Sequence, residues 1–233
     1  MNRRHLKIHI CLVVCFMLGG GFAEGPRPAS AAARTLASDP ELDQLLRGVE
    51  NKYNRIKSLR MHFRQTYEEG GQVMREEAGT LYLRKPNQMR WEYENPEPKL
   101  FLTDGKQVML YVPQEKRVTE TEVKNSDDLR NPMRFLLGGL KFKKEFQSIE
   151  KSRDVAPLDR ADVVIQAVPN TMREQLELVV MEITPQFEIR RLILKQPGGI
   201  ETDFRFEDAK PDLPLSPELF RLTPPPGAEV VHQ

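Results

Sequence analysis

The chain has 233 residues, 30% of them charged, with 35 Lys and Arg against 34 Asp and Glu and only 2 Cys and 4 His. That balance argues against a nucleic-acid binder, whose footprint is a basic excess. Both cysteines, Cys11 and Cys15, fall near the N-terminus, so a processed chain has no thiol for a disulfide, a metal or nucleophilic attack.

The N-terminal stretch reads as an export signal. Arg3, Arg4 and Lys7 precede an apolar run from Ile10 to Leu18, Gly19, Gly20 and Gly21 cut that run short, and Ala29-Ser30-Ala31 offers a small-residue cleavage site. The run is too short for a transmembrane helix, which needs roughly 20 apolar residues. Neither cysteine follows a Leu-small-small pattern, so a lipid-anchored form is not expected. The expectation is a signal peptide over residues 1–31, with cleavage between 23 and 33, and a single exported, soluble domain over 32–233 in the periplasm. Losing the leader takes the basic and acidic counts from 35 and 34 to 31 and 33, a net charge of about −2.

Processing also removes His5 and His9, leaving His62 and His232, too few for a Cys/His zinc site or a two-histidine metal centre. No G-x-S-x-G turn occurs, and His62, between Met61 and Phe63 in an alternating stretch, reads as a plain strand histidine. Carboxylates are scattered as on any soluble surface, with no placed acid–base pair. An enzyme, a cofactor and a metal are all unexpected.

In chain order, Asp39-Pro40 opens a helix as cap and first residue, and Leu42, Leu45, Leu46, Val49, Tyr53 and Ile56 follow at helical spacing. From Leu59 the period switches to two, and the strand ends near Gly70-Gly71. Strands are predicted at 79–83, at 89–93 after a Lys85-Pro86-Asn87 turn, and at 100–103 and 106–112 around Asp104-Gly105, a hairpin signal. Val108 to Val112 is apolar on both faces and should be covered on both sides. Asn131-Pro132 opens a short apolar helix over 133–137, ended by Gly138-Gly139. Strands resume at 161–168, 175–183, 187–195 and 199–207. A capped helical turn at 216–220 and a last strand at 228–231 complete the pattern. Many antiparallel strands with two helices imply a mostly β fold with α, a large curved sheet or open barrel with helices on one face. Such a sheet tends to enclose a cavity.

From Asp39 to Val231 the order of these motifs resembles the periplasmic lipoprotein carrier family, LolA. The matching pieces are Leu59 to Gln65, Gly79-Thr80-Leu81-Tyr82-Leu83, Lys85-Pro86 through Trp91, Leu102-Thr103-Asp104-Gly105-Lys106, Tyr111-Val112-Pro113, Asn131-Pro132 and Phe220 to Gly227. The resemblance implies an incomplete β-barrel with a lid of helices over an apolar cavity for the acyl chains of a lipoprotein. It implies as partners acylated lipoproteins, an inner-membrane ABC transporter that releases them and an outer-membrane receptor; a monomer is the expected state. Met89, Trp91, Met109, Tyr111, Phe135 and Leu136 are the candidates to line or close the cavity. The family usually carries Arg directly before the motif's Pro, where it holds the lid closed through lid backbone groups. Here that position is Lys85, with Arg84 one step earlier on the other face of the strand. Lys85 is therefore the candidate latch, weaker because an ammonium lacks the planar fork of a guanidinium. The alternative is a lipid-sensing or lipoprotein-sensing domain of the same architecture in envelope stress signalling. Its usual second domain is not expected, because the chain ends just after Val230-Val231.

Overall fold

The structure, a computed structural model, describes residues 39–123, 139–171 and 173–233. Residues 1–31, expected as a signal peptide, and 133–137, expected as a helix with Phe135 and Leu136, lie outside the described residues. The elements below belong to one unit, Ser38–Gln233.

Helix α1 (Pro40–Arg55) begins where the sequence places it. The Asp39 carboxylate accepts from the backbone N–H groups of Glu41 and Leu42 at 3.0 and 3.2 Å, satisfying two of the donors that a helix start leaves without partners. Glu41 and Asp43 in the first turn and Lys52 and Arg55 in the last complement the helix dipole. Leu46, Val49 and Tyr53, spaced by three and four, form the buried stripe.

Twelve strands follow in one sheet. They are β1 (Ser58–Glu69), β2 (Gln72–Arg84), β3 (Gln88–Asn95), β4 (Lys99–Thr103), β5 (Gln107–Val112), β6 (Arg117–Glu122), β7 (Phe146–Lys151), β8 (Val163–Pro169), β9 (Leu178–Ile183), β10 (Ile189–Gln196), β11 (Ile200–Pro211) and β12 (Glu229–His232). Their order is β12-β6-β5-β4-β3-β2-β1-β11-β10-β9-β8-β7, open at both ends, so the barrel is not closed. Every neighbouring pair is antiparallel except β12 with β6. Two meanders are joined at the centre by β1 and β11. Gly70 and Gly71, both at positive φ, make the β1–β2 turn; Gly105 at φ 96° makes the β4–β5 turn, where Asp104 Oδ1 accepts from Lys106 and Gln107 N–H.

Sequence pattern and structure part at the margins. Strand β2 starts at Gln72, because its exposed first half extends the hairpin beyond the core. Strands β6 and β7 were not expected. Both are polar along most of their length and lie at or next to an open edge of the sheet, where pairing rather than burial makes the strand.

Cross-strand register divides the side chains between two faces. Met61, Leu81, Trp91 and Phe101 stand in one row on the face that α1 covers, and Leu59, Leu83, Met89, Thr103 and Val108 in the next. Beyond β1 the same face continues through Phe204, Leu192, Met181 and Ile165. These residues and the α1 stripe form the main core. Leu140 and Phe142 join it, held where Asn54 Nδ2 donates to Leu140 O at 3.0 Å and Phe142 N–H donates to Glu50 Oε1 at 2.8 Å. The opposite face carries smaller patches. Val164, Val180 and Ile193 pack with Val155, and Leu102, Met109, Val118 and Phe220 are buried outside the main core. Strand β5 is thus buried from both sides, Val108 on one and Met109 on the other.

Candidate functional site

The face beneath α1 is the candidate site. Its centre is aromatic: Trp91, fully buried, meets the edge of Phe63 at 4.7 Å and a tilted Phe204 at 5.3 Å, while Phe63 meets Tyr93 at 5.0 Å. Three strands brought together by the sheet supply this cluster, since Phe63 lies on β1, Trp91 and Tyr93 on β3, and Phe204 on β11. The Trp91 indole N–H has no hydrogen-bond partner among the described residues. An unmet donor in an apolar setting costs about 1–3 kcal/mol. Gly79 is required beside the cluster, because a Cβ there would lie 1.9 Å from the Glu92 carbonyl oxygen.

One end of the face is closed by polar groups. Tyr93 donates to Gln65 Oε1 at 3.0 Å, Lys99 pairs with the buried Glu77, and the Lys99 ammonium sits 4.2 Å from the Tyr93 ring centroid. The other end is closed by α1. The Tyr53 hydroxyl accepts from Ile189 N–H at 3.0 Å, and burial pushes its phenol up to about 12. The Phe187 ring, presented from the β9–β10 turn at φ 63°, lies against Gly48 of the helix.

Two sets of contacts fasten α1. At its start Lys151 reaches Asp39 and Glu41, each at 3.0 Å, which together with the helix N–H groups holds the Asp39 carboxyl below the usual carboxylate range. At its end Lys85 Nζ donates to the Tyr53 carbonyl at 2.5 Å, one of the acceptors that the last helical turn leaves open. Partial burial lowers the Lys85 ammonium from its ordinary value, and Asp212 opposes that shift. Lys85 N–H also donates to Lys57 O, and Lys57 N–H to Asp212 Oδ1, so the exit from α1, the β2–β3 turn and the end of β11 are tied together. Arg84 faces the other way and donates to Gln88 Oε1 at 2.9 Å.

The sheet separates the candidates taken from the sequence. Met89 and Trp91 belong to the core under α1. Met109 pairs across the strands with Leu102 and Glu120, and Tyr111 with Leu100 and Val118, which puts both on the opposite face. On that face the C-terminal segment packs against β3, where Arg90 donates to the Leu219 carbonyl at 2.9 Å. On β5 the side chains turned toward α1 are Val108 and Leu110, each one step away from a chosen residue. Phe63 and Phe204 escaped sequence reasoning as site residues, although both alternate cleanly with charged neighbours. Among the described residues no group of three or more His, Cys, Asp or Glu is placed to hold a metal, and no helix is long and apolar enough to cross a membrane.

Residues 54–223 match the family model described as outer membrane lipoprotein carrier protein LolA. An outer-membrane lipoprotein carrier protein from Nitrosomonas europaea is 25% identical over 192 residues, covering 80% of this chain and 88% of that protein. Its counterpart from Alkalilimnicola ehrlichii is 26% identical over 181 residues, covering 77% and 80%. Among solved structures, an uncharacterized conserved protein from Thermus thermophilus shares the fold, with a TM-score of 0.53 at 12% identity over 83% of this chain and 99% of that one.

Proposed function

Since the chain belongs to the LolA family of outer membrane lipoprotein carrier proteins, we propose that it takes up the acyl chains of lipoproteins released from the inner membrane and carries them through the periplasm to the outer membrane. The observation that carries this reading is one continuous apolar face whose main cover among the described residues is helix α1, held at its two ends by lysines. Exposed acyl chains cost about 0.8 kcal/mol per CH₂, so an anchor of several long chains is unfavourable in water by tens of kcal/mol. A carrier must replace that contact with apolar side chains and must also release it. Helix α1 meets both needs: its stripe fills the face when no cargo is bound, and parting it from the aromatic cluster admits the chains.

In this reading Trp91 and Met89 are displaced against or line the acyl chains, and the unmet indole N–H is a donor for an ester carbonyl of the cargo. Lys85 is the latch. Release requires no fuel at the carrier, because a chain moving between two apolar pockets responds only to their difference in affinity. The cargo is an acylated lipoprotein, the donor an inner-membrane ABC transporter and the acceptor an outer-membrane receptor.

The test is release of radiolabelled lipoprotein from spheroplasts by the purified mature protein. Labelled lipoprotein should appear in the supernatant in complex with the carrier, and less of it with Trp91→Phe, which keeps a ring and removes the donor. A folded protein that leaves all label in the membrane sinks the proposal.

A further inference from the structure

Strand β11 outruns its neighbour. Its register with β10 stops at Arg191↔Arg205, whereas its pairing with β1 continues to Pro211. Among the described residues the segment 206–210 therefore has a strand on one side only, and it carries a register irregularity between Arg60 and His62 of β1 with Asp208 at φ 53°. A cleft of about 490 Å³ opens in the gap. Its floor includes Tyr53, Met61, Ile189 and Phe206, all members of the core under α1, and its lining also includes Leu158, which is 47% exposed. Glu207, Asp208 and Arg205 are shared with a second cleft of about 490 Å³ that crosses the opposite face past His62, Arg64 and Glu94. The two clefts, one floored by the apolar interior and one polar on the opposite face, therefore meet at the same three residues where β10 is short.

We propose that this gap is a side portal of the carrier site, admitting one acyl chain of a lipidated peptide while the peptide itself lies extended along the unpaired edge of β11, where the polar groove ends. The inference rests on the carrier reading and specifies how the cargo is held. An amphiphile is the ligand class that matches a floor of Met61 and Phe206 continuous with a mouth of Arg205, Glu207 and Asp208. The groove offers both signs of charge, and a strand edge offers backbone N–H and C=O groups. Pairing of that kind holds a peptide without reading its side chains, as a carrier of many cargoes requires. The Tyr53 hydroxyl, bonded to Ile189 N–H at 3.0 Å, bolts the inner end of the portal, so movement of α1 opens it. The volume is within the usual range of about 300–1,000 Å³ for small-molecule sites.

The experiment uses the mature protein with a photoreactive benzophenone residue at Leu158, at Glu207 or, as control, at Val73, which is 56% exposed on the β1–β2 hairpin. The probes are a synthetic dipalmitoyl-cysteinyl peptide and the same peptide without lipid. The lipidated probe should label positions 158 and 207 and not 73, the bare peptide should label none, and Leu158→Asp should weaken lipopeptide affinity about tenfold. Lipopeptide that binds but labels 158 and 207 no more than 73, or labelling by the bare peptide at equal yield, overturns the portal and leaves the carrier reading standing. Failure of the wild-type protein to bind lipopeptide at all overturns both.

Discussion

The two faces of the sheet bury apolar residues in different ways. Under α1 the core is continuous across β1 to β5 and β8 to β11, aromatic at its centre, and covered among the described residues mainly by that regular helix. The opposite face has isolated patches, each under a short segment pinned by polar groups: Phe220 and Leu219 against β3, and the loop before β8 over Val164, Val180 and Ile193. A cover that moves as a rigid helix can expose a whole surface at once, whereas short straps release only what lies beneath each of them. The face proposed to take the ligand is the one with the continuous core.

The largest expected effect separates the faces directly. Trp91→Ala should cost about 3–5 kcal/mol in urea unfolding, through lost transfer energy and the cavity left among Phe63, Tyr93 and Phe204. Phe220→Ala removes another fully buried ring, yet its strap can open alone, so hydrogen exchange should rise across 213–221 with a smaller change in the global midpoint. Equal midpoints for the two variants would erase the distinction. Gly48→Ala should destabilise by about 1–3 kcal/mol, less the roughly 1 kcal/mol that alanine gains in a helix, because the new Cβ would lie 2.3 Å from the Phe187 ring. Adding Phe187→Leu should recover most of that loss.

Lys85→Ala leaves the Tyr53 carbonyl without its ammonium partner and should lower the protection of the last turn of α1 by about 1 kcal/mol in hydrogen exchange. Unchanged protection would remove the latch. The smallest effect concerns the strap before β8. Glu182 is buried, its Oε1 accepts from Leu158 and Asp159 N–H at 2.7 and 3.3 Å, and Asp162, Asp159, Arg190 and the cross-strand Arg191 surround it. Burial, opposed by those two N–H groups and reinforced by Asp162, holds its carboxyl above the ordinary value. A raised acid contributes most below the unfolded value and loses that contribution as pH rises through its raised one. Docking of residues 152–162 should therefore loosen with rising pH, as read by exchange corrected for intrinsic rates, and Glu182→Gln should flatten that slope.

Most of the fold was legible because its signals are local. Asp39-Pro40 caps a helix wherever it stands, the 59–65 alternation can only be a two-faced strand, and Gly70-Gly71 and Asp104-Gly105 turn the chain without help from distant residues. Strands β6 and β7 were missed for the converse reason. Their sequences carry little burial, and only neighbouring backbones make them strands.

The site divides along the same line. By itself the sequence determined that the chain presents alternating apolar strands with one amphipathic helix, and that Trp91 and Met89 belong to a buried row, since period and turn chemistry act over a few residues. Tertiary structure alone decided which face each strand turns toward α1. In β5 both rows are apolar, so nothing local distinguishes Val108 and Leu110 from Met109 and Tyr111, and only the pairing with β4 sets their direction. The meeting of Phe63, Trp91 and Phe204, and the gap where β11 outruns β10, are likewise products of register between distant segments, which no local pattern encodes.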